Sequence, residues 1–238
     1  MYTFKEINDS LPEEKKRADG LWTQFVLRPL AVPFTYVALK LRLKANTVSY
    51  LSVIFSIGGG VLFCMKGFWA PFWGAVMFNI FSIFDCVDGA VARVTKTASP
   101  WGGWADAVMG FVAYCAMFLS MGVYIYLRTG WWWILLITGI TSSANLLTRA
   151  SYQAYKNIVG KNRAEGAVSF EQKLAETVGI TGFMTPLILV FHCVWGQWPW
   201  GMLGVAAFNL AFYTGGCLLT IIKLARKVGA HDPQAEPV

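Results

Sequence analysis

Apolar residues run along this chain in blocks of about twenty, the length a helix needs to cross a bilayer. Six such blocks stand out: Thr47 to Met65, Trp69 to Ala92, Trp104 to Leu127, Trp131 to Tyr152, Leu174 to Trp195 and Met202 to Ile222. The links between them are short and polar or carry Gly and Pro, except for the long one from Gln153 to Lys173. The expected fold class is therefore an all-α integral membrane protein with six transmembrane helices. Residues 11–44 mix Arg28, Lys40, Arg42 and Lys44 with large apolar side chains, which predicts an amphipathic helix lying in the membrane interface ahead of the spans. A seventh span starting near Trp22 is the poorer reading, because Arg28, Pro29 and Pro33 would sit inside it. No apolar core or cleavage site marks a signal peptide at the N-terminus. The chain divides into residues 1–45 (cytoplasmic N-terminus and juxtamembrane helix), 46–225 (six-helix domain) and 226–238 (cytoplasmic tail).

Charge fixes the orientation. With six spans and both termini in the cytoplasm, every one of the 20 Lys and Arg except Lys66 and Arg128 falls on the inner side, as the positive-inside rule demands. Trp69, Trp73, Trp131, Trp132, Trp133, Trp195, Trp198 and Trp200 then collect at the outer headgroup level. Ser56, Gly58, Gly59 and Gly60 predict close helix packing in the first span.

Composition agrees: 56% of residues are hydrophobic and only 14% charged, against roughly 25% charge in a soluble domain. A soluble enzyme is excluded. The net charge of +7 is not gathered into one stripe, so no nucleic-acid partner is expected. The five cysteines show no CxxC spacing and sit in or beside apolar runs, which predicts buried free thiols. His192, Asn79, Asn145 and Asn209 lie inside spans and are read as packing and interhelical hydrogen-bonding residues.

Ionisable residues are costly inside a span, about 2.5–3.5 kcal/mol each at its centre. They concentrate at the inner end of the second span and the start of the third. Asp85 and Asp88, three apart, share one helix face. A loop of about ten residues would fold the third span back and bring Asp106 beside them. Three converging carboxylates repel one another unless a cation intervenes, and hard oxygen ligands suit Mg²⁺ or Mn²⁺. Gly89, Ala92 and Gly102 clear one face for a phosphorylated ligand, and Arg93 adds a charge for its phosphate. A transporter would need such groups near the midplane of several spans.

The run Asp85-x2-Asp88-Gly89-x2-Ala92-Arg93-x8-Gly102-x3-Asp106 resembles the signature of the CDP-alcohol phosphotransferases. Arg28-Pro29-Leu30 and Ala45-Asn46-Thr47-Val48-Ser49 resemble, more weakly, that family's juxtamembrane helix and first span. The resemblance implies a phospholipid-synthesis enzyme in which an acceptor alcohol attacks a CDP-linked donor, CDP-diacylglycerol or a CDP-amino-alcohol, and CMP leaves. It also implies that Asp85, Asp88 and Asp106 are catalytic metal ligands for Mg²⁺ or Mn²⁺. Gly89, Ala92 and Gly102 would shape the nucleotide pocket with Arg93 beside it. A homodimer in membrane lipid is a further implication.

The chain departs from the pattern at Gly110, where the family has a fourth aspartate, a metal ligand and the proposed base. The acceptor can bring its own base, or Glu165, Glu171 or Glu176 can supply one. The alternative is a silent member that binds a CDP-lipid or phosphorylated lipid without turnover. Arg149, Lys156, Lys161 and Arg163 read either as ordinary inner-side charge or as partners for an acceptor phosphate.

Overall fold

A computed structural model describes residues 2–159, 177–195 and 199–229, and among these there are helices and no strands. The chain opens with α1 (Phe4–Asp9), α2 (Glu13–Ala18), a π-helical turn (Thr23–Leu27) and α3 (Arg28–Lys40). The long helices α4 (Ala45–Phe63), α5 (Trp69–Val94), α6 (Pro100–Thr129) and α7 (Trp133–Val159) follow. A second π-helical turn (Ile180–Met184), α8 (Thr185–Trp195) and α9 (Pro199–Gly229) complete it.

Four helices, α4, α5, α6 and α9, are long and apolar enough to cross a membrane. The predicted fourth span corresponds to α7, which is 27 residues long but more polar. The predicted fifth is not one straight helix over its described part. Non-helical backbone at Gly182 breaks it, and the continuous helix after the break has 11 residues. Residues 174–176 of that span, Trp198 and most of the tail lie outside the described residues.

The N-terminal region is also more divided than a single interfacial helix. Thr3 and Glu6 form a reciprocal capping box at α1, the Thr3 backbone N–H donating to Glu6 Oε2 over 2.7 Å. These bonds hold the Glu6 carboxyl below its ordinary pKa. Ile7 of α1 is buried with Leu27 and Ala31 against Cys86, Val87 and Val91 of α5. α3 buries Ala31, Thr35 and Ala38 and leaves Leu30, Phe34, Val37 and Leu41 exposed along one face.

The core is organised around α4. It packs extensively on α5 and also on α6, whereas α5 and α6 barely touch each other. Small residues make this possible. Gly59 and Gly74 let the α4 and α5 backbones cross in direct contact. Ser56 reaches across to donate to the Ala113 carbonyl of α6 over 3.1 Å. Phe63, Phe78, Phe81, Met117, Phe118 and Tyr124 fill the space beyond. α7 and α9 form the other strong pairing.

At the end of the bundle away from the aspartates, Tyr124, His192 and Phe68 join three elements. His192 is 1% exposed, with Nδ1 3.3 Å from the Tyr124 hydroxyl and Nε2 3.0 Å from the Phe68 carbonyl. It is the packing residue the sequence predicts. Asn79 likewise donates to the Thr185 carbonyl of α8 over 3.2 Å. Trp131 stacks on Trp133 and meets Trp200 edge-on, so the tryptophans do gather at this end. The five cysteines are free, but only Cys86 and Cys217 are buried and Cys193 is exposed.

The α5–α6 connection is shorter than expected. Ser99 caps α6, accepting from the Gly102 N–H over 3.1 Å, and Pro100 occupies its first turn. Gly102 and Gly103 are thereby helical, and only Thr95–Ser99 remain between the helices. α5 ends with Lys96 in the left-handed region (φ 56°) and the Thr97 N–H bonded to the Ala92 carbonyl at 2.9 Å. α3 ends the same way at Arg42 (φ 55°), with the Leu43 N–H on the Ala38 carbonyl. A residue with a Cβ is strained there, so Lys96→Gly is expected to stabilise the protein by a few tenths to about 1 kcal/mol. A raised melting midpoint in detergent would show it; an unchanged or lowered one would mean that the Lys96 side chain contributes more than the strain costs.

Candidate active site

The motif residues occupy the last three turns of α5 and the first turns of α6. Asp88 is 5% exposed, and its Oδ2 accepts a 2.6 Å hydrogen bond from the Ser49 hydroxyl of α4. Asp85, one turn earlier, is half-buried, and Asp106 is exposed at the start of α6. All three interact electrostatically: Asp85 with Asp106, and Asp88 with both. The two motif-bearing helices do not lie against each other; both are held by α4.

The small residues have separable roles. A Cβ on Gly89 would stand 3.1 Å from Nη1 of Arg93, whose guanidinium folds back over that glycine. A Cβ on Gly102 would stand 3.3 Å from both Asn46 Oδ1 and Ser99 Oγ, so α6 starts tightly against the start of α4. Ala92 is half-buried. Arg93 Nε is buried without a hydrogen-bond partner among the described residues, a donor waiting for an acceptor.

Cations surround the carboxylates. Lys15 of α2, Arg28 of α3 and Arg149 of α7 all act electrostatically on Asp85, and Lys15 also acts on Asp106. Arg28 is fixed by Asp19, with Nε–Oδ2 at 2.9 Å and Nη2–Oδ1 at 3.1 Å. Burial alone would lower the Arg28 pKa. The bonds to Asp19, together with the negative charges of Asp19 and Asp85 nearby, outweigh that, so the pKa lies above the ordinary arginine value. Arg149 lies over the Tyr114 ring, 4.6 Å from its centroid. It thus belongs to the surround of the site as well as to the general basic excess.

Gly110 is buried, and a Cβ there would meet only the Tyr114 ring, at 3.6–3.8 Å. The other named candidates, Lys161, Arg163, Glu165, Glu171 and Glu176, lie outside the described residues, as does the Lys156 side chain.

Sequence reading missed three residues here. Ser49 carries a hydroxyl at a helical position, which reads as packing until Asp88 is placed beside it. Lys15 sits in the stretch that reads as an interfacial amphipathic helix, which links it to no aspartate. Asp19 is nine residues before Arg28, with no periodicity linking them.

The donor set is three carboxylates, which is the chemistry that Mg²⁺ and Mn²⁺ prefer. Among the described residues, no three His, Cys, Asp or Glu side chains already stand close enough together to grip an ion. The nearby cavity between α1, α3 and α5, bounded by Arg28, Cys86, Ala90 and Arg93, measures about 30 Å³, enough for water but not for a nucleotide.

Comparison with known proteins points the same way. The chain is similar to a phosphatidylinositol phosphate synthase of Streptomyces avermitilis, at 31% identity over 86 residues, covering 36% of this chain and 34% of that protein. It is also similar to a phosphatidylinositol phosphate synthase of Corynebacterium glutamicum, at 26% identity over 99 residues, covering 42% of this chain and 44% of that protein. The chain therefore matches less than half the length of either relative. The family match is far broader. The CDP-alcohol phosphatidyltransferase description covers residues 42–221, which include every motif residue from Asp85 to Asp106, and the chain belongs to the CDP-alcohol phosphatidyltransferase family.

Proposed function

We propose that this protein is a working transferase that moves a phosphatidyl group from CDP-diacylglycerol to an alcohol and releases CMP. The observation that carries the reading is the family match over residues 42–221, within which Asp88, buried and bonded to Ser49, shares a face of α5 with Asp85 while Asp106 stands at the start of α6. Four long apolar helices support an integral membrane protein. The six-span topology extends this to α7 and to the segment that ends in α8. Both termini and the site then lie on the cytoplasmic side, and α3 lies at the interface on its exposed apolar face.

Asp85, Asp88 and Asp106 would hold Mg²⁺ or Mn²⁺, which would supply neutralisation of charge on the donor's diphosphate. The chain's own residues do the rest. Ser49 orients the Asp88 carboxylate. Gly89 leaves room for the Arg93 guanidinium and Gly102 for the close start of α6 on α4, and the unpartnered Arg93 Nε–H would serve a phosphate oxygen. The acceptor oxygen bonds to the phosphorus that bears the lipid, the P–O bond to CMP breaks, and the hydroxyl proton must leave. Gly110 cannot accept it. A phosphorylated alcohol carries its own base, and Arg149 is placed to pair with such a group. The names of the relatives also make a phosphorylated inositol the first acceptor to try.

The test is CMP release by the protein in lipid with Mn²⁺ or Mg²⁺. CDP-diacylglycerol and CDP-ethanolamine are offered separately, each with plain and phosphorylated alcohols. Metal-dependent release with CDP-diacylglycerol is the expected result. CDP binding without release from either donor would favour the silent-binder reading, for which Gly110 is the supporting observation. Gly110→Asp, whose Cβ fits against Tyr114, is expected to raise turnover with unphosphorylated acceptors, since a general base contributes about 10²–10⁴-fold. Equal turnover before and after the change would show that another group takes the proton.

A further inference from the structure

At its motif end α6 presents two indoles to the outside of the bundle. Trp101 and Trp104 are 60% and 55% exposed, and their rings stack with centroids 4.9 Å apart and planes 25° apart. A single exposed aromatic needs no explanation. Two stacked ones form a contiguous patch, and such patches mark contact with a partner or a membrane.

The pair also heads a stripe. Val112 and Leu119 follow Trp101 at eleven and eighteen residues, close to three and five full turns, and both are exposed, as is Tyr126 near the other end of the helix. Trp104 and Tyr126 are 22 residues apart, which is about 33 Å along a helix. The hydrocarbon core of a bilayer is about 30 Å thick. An apolar face of that length with an aromatic residue at each boundary suits lipid, because Trp and Tyr keep an apolar body among the chains and a polar N–H or O–H among the headgroups. A second copy of the chain suits it less well. Membrane helices pack on one another through small residues, and α6 turns Gly110, Ala113, Ser120 and Gly122 into its own bundle.

We propose that Trp101 and Trp104 dock the start of α6 in the phospholipid headgroup layer of the leaflet at the motif end. Asp106 lies two residues beyond Trp104, about 3 Å further along the axis and on nearly the opposite side of the helix. The indole pair therefore holds the motif at the depth of lipid phosphate groups. A lipid whose phosphate lies at that depth reaches the motif without drawing its chains out of the bilayer. The inference rests on α6 spanning a membrane and not on turnover, so it stands or falls separately from the transferase reading.

The experiment is fluorine NMR of the full-length protein, carrying 5-fluorotryptophan, in phospholipid nanodiscs. Trp101→Phe and Trp104→Phe are conservative changes at exposed positions, and each removes one resonance and so identifies it. Three paramagnetic agents are compared: a nitroxide on the lipid headgroup, a nitroxide at the end of the acyl chain and a water-soluble gadolinium chelate. The Trp101 and Trp104 resonances are expected to lose most intensity to the headgroup nitroxide, as are those of the exposed Trp132 and Trp200 at the opposite end. Greatest loss to the soluble chelate would place the pair in water, and greatest loss to the chain-end nitroxide would place it in the hydrocarbon; either result overturns the docking. Resonances untouched by all three agents would overturn it as well, by showing that protein covers the pair, a second copy of the chain being then the occupant to seek.

Discussion

Asp85→Asn is expected to abolish metal-dependent CDP binding and to lower CMP release on the order of 10³-fold or more, beyond the 10–100-fold typical of losing a residue that only orients a ligand. The substitution is nearly isosteric, so the packing of α5 should survive it. What changes is charge. Asp85 is the carboxylate on which Lys15, Arg28 and Arg149 all act, and it also repels Asp106. Removing its charge leaves those cations facing a neutral amide and removes a hard anionic ligand from the set. Ser49→Ala gives the graded comparison. It leaves all three carboxylates in place and removes only the 2.6 Å bond that orients Asp88, so a loss of about 10–100-fold is expected. Calorimetry of CDP binding with Mn²⁺ separates the two. Asp85→Asn protein that melts normally and still binds CDP within threefold of wild type would remove Asp85 from the site.

Gly74→Ala should have the largest effect on stability. A Cβ there would stand 2.5 Å from the Gly59 carbonyl oxygen, 2.7 Å from the Phe63 nitrogen and 3.1 Å from its Cα. Every one of these is backbone of α4, so no side chain can rotate away. The helices must separate along the most extensive contact in the protein. Overpacking a core costs about 1–3 kcal/mol where side chains can adjust. Here the top of that range or more is expected, against a helix-propensity gain of only about 1 kcal/mol. Gly204→Ala in α9 is the control. Nothing lies within 4 Å of its Cβ position, so only the propensity gain should appear. Equal melting midpoints in detergent for Gly74→Ala and wild type would falsify the close α4–α5 crossing.

Much of this was legible in the sequence, for identifiable reasons. Apolar runs report helices that face lipid or core regardless of what they touch, so α4, α5, α6 and α9 were found to within a few residues, apart from the early start of α6 and the late end of α9. A carboxylate in an apolar run is costly enough to stand out, which is why Asp85, Asp88 and Asp106 drew attention. The glycine run of α4 announced a close crossing, but not that Gly74 is its other half. What stayed hidden depends on contacts between distant positions. Ser49 and Asp88 are 39 residues apart, and no pattern in either helix links them. The early start of α6 turns on one capping bond, from the Gly102 N–H to Ser99, while its two glycines read as loop. The break at Gly182 falls where Gly179, Gly182 and Pro186 stand close together, a signal that the apolar count of the whole block outweighed.

The position of α4 between the motif-bearing helices makes it a gauge block. α5 and α6 hold on to α4 rather than to each other, so the thickness of α4 sets the separation of the two helices that carry Asp85, Asp88 and Asp106. On the α6 side that thickness is a hydroxymethyl group at Ser56 and a bare backbone at Gly60, whose Cβ position is 3.5 Å from the Ala116 carbonyl. Adding or removing a methyl group there would reset the width of the candidate site from a helix that contributes none of its carboxylates. Ligand size could then be selected by volume changes well away from the reacting atoms.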